Sequence, residues 1–134
     1  MTLTRRYRFA ASHRLNTEAL SAEENARLYG KCNNPFGHGH DYVLDVTVAG
    51  PVDPSGQIVK RHDLDRLVQE QVLARLDHLN LNCDVPELRR QVPTTENLAS
   101  AIEKMLTSQW TLPARLTCVR ISETARNTFE LEAK

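Results

Sequence analysis

The sequence predicts an α+β domain with a four-stranded antiparallel sheet and two helices on one face. Strand-like alternation occurs at both ends of the chain, and two stretches of helical spacing lie between them. The order strand, strand, helix, helix, strand, strand is that of an antiparallel sheet with its helices segregated to one side. At 134 residues the chain fits one domain, 1–134, large enough to bury a core without disulfides.

The first strand is read over residues 4–13. Tyr7, Phe9, Ala11 and His13 share one face, and Arg6, Arg8 and Ala10 the other. Residues 14–37 form a long connection with a short helical piece over Ser21–Leu28, and a connection of this length in a compact domain is usually functional. Alternation returns from His40 with Tyr42, Leu44, Val46 and Val48, and Gly50-Pro51 ends the strand. "DPSG" at 53–56 is a turn. Leu64, Leu67, Val68, Val72 and Leu76 then recur at helical spacing, with Asp63 as the expected N-cap. "LNLNCDVPEL" reads as a loop. "VPTTEN" opens the second helix, with threonine as cap and Glu96 in the first turn, where the helix dipole favours an acid. Leu98, Ala101, Ile102, Met105 and Leu106 form its apolar stripe. Thr117, Val119 and Ile121 make a third strand, and Phe129 with Leu131 a fourth after a turn at 125–127. Four strands leave two free edges, and both are expected to pair with other subunits.

Composition narrows the function. Lys+Arg and Asp+Glu are both 17, so no basic field points to nucleic acid. No apolar run reaches membrane-spanning length, and "MTLTRRYRFAASHRL" lacks a signal core. The three cysteines, Cys32, Cys83 and Cys118, are odd in number and far apart, which suits a reducing cytoplasm better than a disulfide framework.

The chemistry-bearing residues cluster in "YGKCNNPFGHGHDY", 29–42. His38 and His40 sit at i and i+2, so on a strand they share a face. His13 has the parity to join them if the first two strands pair. Three imidazoles with one open position suit a catalytic zinc ion, whereas H-x-H alone is often a turn or surface pair. Cys32 precedes the turn and is a base or nucleophile if a cation lowers its pKa, and otherwise a small half-buried hydrophobe. Asp77-His78 offers a carboxylate beside an imidazole, either for acid–base work or as a helix C-terminus. Glu123 continues the parity of Val119 and Ile121, marking a pocket floor or a strand end.

Taken together, "FAASHRL", "LSAEENARLYGKCNNPFGHGHDY", "LDHLNLN", "VPTTENLA" and "SETARN" resemble the 6-pyruvoyltetrahydropterin synthase / 6-carboxytetrahydropterin synthase family over nearly the whole chain. The resemblance implies a tunnelling fold (T-fold), in which subunit sheets join into a barrel by trimerisation and two trimers form a homohexamer. It implies Zn2+ on His13, His38 and His40, and Cys32 as the proton-abstracting thiolate. Asp77 and His78 would complete a triad across a subunit interface. Glu123 would grip the guanidine-like edge of a pterin, with Thr94, Thr95 and Glu96 lining the same pocket. The implied substrate is 7,8-dihydroneopterin triphosphate and the implied product 6-pyruvoyltetrahydropterin. Cys32 lies six residues before His38, which resembles the pyruvoyl branch rather than the carboxy branch of queuosine biosynthesis. A pterin-binding homologue without turnover is a further alternative. Lys60-Arg61-His62 and Asp41 depart from the family pattern, and Lys60 and Arg61 are candidates to hold the triphosphate.

Overall fold

The computed structural model describes residues 1–133. Its long strands, β1 (Thr2–His13) and β2 (His38–Ala49), pair antiparallel from Thr2↔Ala49 to His13↔His38. β3 is the two-residue strand Leu79–Asn80. β4 (Arg115–Ser122) lies antiparallel to β2, with an irregularity between Thr47 and Val48, and β5 (Thr128–Glu132) is antiparallel to β4. The sheet order is β3-β1-β2-β4-β5.

The sheet therefore has five strands and is mixed, not four-stranded and antiparallel. β3 runs parallel to β1 at Ala11 and Ser12, inside the stretch expected to be a loop. Its placement depends on Ala10, whose N–H donates to the Asp77 carboxylate at 2.8 Å and whose C=O accepts from the His78 N–H at 2.6 Å. His78 takes a left-handed φ of 63° there, which turns the chain onto the edge of β1. No periodicity can announce a two-residue strand.

The connection before β2 holds α1 (Ala22–Tyr29), started by a capping box in which Ser21 and Glu24 satisfy each other's backbone N–H. Asn25 is buried in that loop, its amide donating to the carbonyls of Thr17, Leu20 and Ser21. α2 (Arg61–Val68) continues through a π-helical turn, Gln69–Leu73, into the short α3 (Ala74–Leu76). The cap position of α2 is Lys60, with no side-chain cap, and Asp63 lies inside the first turn instead. An acid there still complements the helix dipole, which is why it read as a start signal. α4 (Thr95–Thr107) begins at Thr94, whose hydroxyl accepts the Asn97 N–H at 3.3 Å.

One core lies between the sheet and the helices. Tyr42, Leu44 and Val46 of β2 and Val119 and Ile121 of β4 are fully buried against Leu64, Val68, Ile102 and Leu106. Each such side chain contributes about 1.5–3 kcal/mol by leaving water. The opposite sheet face is polar: Arg6 forks onto Asp45 at 2.9 and 3.1 Å, and Thr4 bonds Thr47 at 2.7 Å. The helix side thus anchors the upper ends of β1 and β2, where the candidate site is built.

Candidate metal centre and active site

The β1–β2 register brings the histidines to one face. His13 stands opposite His38, and His40 stands opposite Ala11, one step diagonally from His13. The His13 side chain is fully buried. Its Nδ1 lies 2.9 Å from the Pro93 carbonyl at the entry to α4. A carbonyl oxygen can only accept, so Nδ1 carries the proton and Nε2 keeps its lone pair. That Nε2 lies 3.1 Å from His40 Nε2. Phe9 and Tyr42 stack beneath the pair with ring centroids 5.0 Å apart, giving it an apolar floor.

Cys32 reaches the same point from the short 3₁₀ turn Gly30–Asn33, its Sγ 3.5 Å from His40 Nε2. The turn is tied to the segment after β1: the Leu15 N–H donates to the Cys32 carbonyl at 2.6 Å, and the Asn33 amide donates to the Leu15 carbonyl at 2.7 Å. Gly37 closes the loop at φ 83°, where an added Cβ would lie 3.2 Å from the His13 carbonyl oxygen. Glu123 follows directly after β4, and its Oε1 lies 3.3 Å from His40 Nε2 and 3.7 Å from His13 Nε2.

Burial sets the protonation states. It lowers the pKa of His13 and of His40, so both imidazoles are neutral at pH 7. Burial, and then the Glu123 carboxylate, push the Cys32 thiol up. Without a cation the thiol holds its proton.

The ligand atoms of His13, Cys32, His40 and Glu123 all lie within 4.8 Å of one another. Two neutral imidazoles, a thiol and a carboxylate form a donor set that fits zinc, and the Pro93 carbonyl supplies the outer hydrogen bond that fixes a ligating histidine. The group differs from the expected set of three histidines. His38 lies beside it, its ring edge-on to His40 with centroids 4.7 Å apart, but is not one of the four. Glu123, expected as a pterin anchor, faces the imidazoles. The Pro93 carbonyl had no signal in the sequence, since a backbone oxygen carries no residue-type cue.

The remaining candidates lie elsewhere in the chain. Asp77 and His78 contact Ala10 and each other, with Asp77 Oδ2 3.5 Å from His78 Nε2. The His78 side chain is 82% exposed and borders an open groove of about 290 Å³ with Ala10, Ser12, Gly39 and Asp41. None of their polar contacts reaches Cys32 within the described residues. Thr94 is occupied as a helix cap and Glu96 is exposed. Thr95 is buried, and its hydroxyl has no hydrogen-bond partner. Arg61 borders a groove with Met1, Thr2 and Leu3, at the far end of β1 from His13. Twelve strand residues span roughly 36 Å, so within one chain neither Lys60 nor Arg61 can serve a ligand at the cluster.

A sequence profile described as 6-pyruvoyl tetrahydropterin synthase matches residues 2–134. The chain belongs to the 6-pyruvoyl tetrahydropterin synthase family. Relatives called 6-pyruvoyl tetrahydrobiopterin synthase, from Poecilia reticulata and Homo sapiens, are each 46% identical over 127 residues. Those alignments cover 93% of this chain and 85% and 86% of the two relatives. The solved structure of the Caenorhabditis elegans 6-pyruvoyl tetrahydropterin synthase superposes with a TM-score of 0.92 at 39% identity, covering 100% of this chain and 96% of that one. The resemblance read from the five sequence stretches is therefore correct. Among the described residues no helix is long and apolar enough to cross a membrane.

Proposed function

We propose that the chain is a zinc-dependent lyase that converts 7,8-dihydroneopterin triphosphate to 6-pyruvoyltetrahydropterin with loss of triphosphate. The observation that carries this reading is the convergence of His13, Cys32, His40 and Glu123 in a member of this synthase family. His13 and His40 hold the metal, and His38 is their neighbour on the same strand face and the third imidazole of the proposed site. Zinc bound there supplies a Lewis acid toward the hydroxyls of the substrate side chain. Cys32 takes a proton from the adjacent side-chain carbon once its own proton has passed to a base. His78, oriented by Asp77, receives and returns protons from a neighbouring subunit. The exposure of the His78 side chain, and the absence of any polar contact between this pair and Cys32 among the described residues, support a role across an interface. Glu123 pairs with the guanidine-like edge of the pterin, in a pocket with Thr94, Thr95 and Glu96. The ring gains the hydrogens that the side chain loses, triphosphate departs, and no outside oxidant or reductant is required.

The assembly proposed for this site is a homohexamer of two trimers. The outer edge of β1 before Ala10, which β3 leaves uncovered, and the outer edge of β5 support it, because joined edges would close three sheets into one barrel. The proposed compartment is the cytoplasm.

Product analysis tests the reading. Zinc-loaded protein is incubated with 7,8-dihydroneopterin triphosphate, and pterins and acetaldehyde are identified by mass spectrometry. 6-Pyruvoyltetrahydropterin without acetaldehyde is expected. Carboxytetrahydropterin with acetaldehyde would assign the protein to the other branch of the family. Pterin bound without triphosphate release would overturn the claim of turnover.

A further inference from the structure

The two open sheet edges carry opposite charge on matching residues. Met1 C=O accepts from the Gly50 N–H at 3.1 Å, so odd-numbered residues of β1 bond to β2 and even-numbered ones turn their backbone outward. Ala10 already uses that outer side for Asp77 and His78. Below it, Arg8 and Arg6 offer free N–H and C=O groups. At the other edge the Ala133 N–H donates to the Thr117 C=O at 2.9 Å. Odd-numbered residues of β5 therefore bond to β4, and Glu130 and Glu132 turn outward.

The same four residues carry the charges, and all four side chains stand on the face away from the helices. Arg6 reaches Asp45 on that face, and Glu130 lies 3.4 Å from Arg120. Arg8 and Glu132 have no ion-pair partner among the described residues. Each step from β1 to β2, β4 and β5 is antiparallel, so a second copy's β5 laid beside β1 is antiparallel too. Two strands, β2 and β4, separate the two edges in one chain, so the partner is a second copy joined head to tail.

We infer that Arg8 pairs with Glu130 of the partner subunit, and Arg6 with Glu132 of the partner subunit, and that these contacts fix the register of the subunit joint. The register follows from three conditions. Outward backbone must meet outward backbone, so even residues face even residues. β3 blocks the edge above Ala10. Of the registers left, this one sets both carboxylates against both guanidiniums, and opposite charges directly across a ladder stabilise it. The inference rests on the edge-to-edge assembly proposed above.

The test is sedimentation velocity over a dilution series for the wild type, Arg8→Glu, Glu130→Arg and the double swap. Each single variant is expected to weaken association by at least roughly tenfold, since like charges then face each other. The double swap is expected to restore it, which a misfolded single variant could not explain. Wild-type association should also weaken with salt. Single variants that assemble like the wild type, or a double swap no better than the worse single variant, would overturn the pairing while leaving the assembly intact. A wild type that stays monomeric at all concentrations would overturn the assembly itself.

Discussion

His13 Nε2 and His40 Nε2 lie 3.1 Å apart, and the Pro93 carbonyl fixes the proton of His13 on its other nitrogen. A ring lone pair on a fully buried side chain is thus aimed at a second imidazole, with the Glu123 carboxylate within 3.7 Å of both. Burial keeps both rings neutral, the state a metal ligand needs. His40→Ala should therefore remove stoichiometric zinc and abolish turnover. Metal analysis of the purified variant checks this, and full zinc occupancy would remove His40 from the ligand set.

Glu123 can serve the metal or the pterin, and one substitution separates the roles. Glu123→Gln keeps the shape and removes the charge. As pterin anchor, it should raise KM by roughly 10²-fold or more through loss of a charge-assisted pair, with zinc affinity unchanged. As metal ligand, it should weaken zinc binding instead. Zinc titration alongside steady-state kinetics gives both quantities from one preparation.

Cys32 is held as a thiol by burial and by Glu123, so the proposed role as a base requires a cation or a second base to draw off its proton. Cys32→Ser should retain zinc and lower kcat by about 10²–10⁴-fold, the usual weight of a general base. A variant with near wild-type kcat would leave the cysteine as packing only.

Acid stability depends partly on Asp65. Arg5 forks onto it at 3.1 and 2.7 Å and Tyr7 donates to it at 2.6 Å. The Arg5 hydrogen bond is the main cause that lowers the Asp65 pKa. Because the folded pKa is depressed, the stabilisation is present above the unfolded value of about 3.9 and is lost as pH falls through the folded one. Asp65→Asn should flatten that part of the acid limb. Urea unfolding midpoints across the pH range check it, and an unchanged limb would show that the half-exposed pair contributes nothing.

The long elements were legible because each carries many residues of one period. The alternation of Tyr7, Phe9, Ala11 and His13 survives as buried and half-buried positions of β1, and Leu98 to Leu106 as the buried stripe of α4. β3 was not legible, since its two residues owe their place to Asp77 and His78 gripping Ala10. Nor was the cap of α2: Asp63 has the right chemistry, but the chain turns helical at Arg61. At the site, parity foretold that His13 and His40 would meet. The approach of Glu123 to them was hidden, because it depends on how β4 lies beside β2.

Thr95 offers the sharpest division between structure and function. Its hydroxyl is buried without a partner, a cost of about 1–3 kcal/mol if nothing ever bonds it. Thr95→Val is nearly isosteric and removes that group. The free protein should therefore keep its stability, or gain up to about 1 kcal/mol. If the hydroxyl is reserved for the pterin, the same variant must bind substrate less well, because the ligand then loses its partner. Thermal melts and KM measured together decide it: unchanged stability with raised KM assigns Thr95 to the pterin pocket. A destabilised protein with unchanged KM would instead mean that the hydroxyl serves the fold.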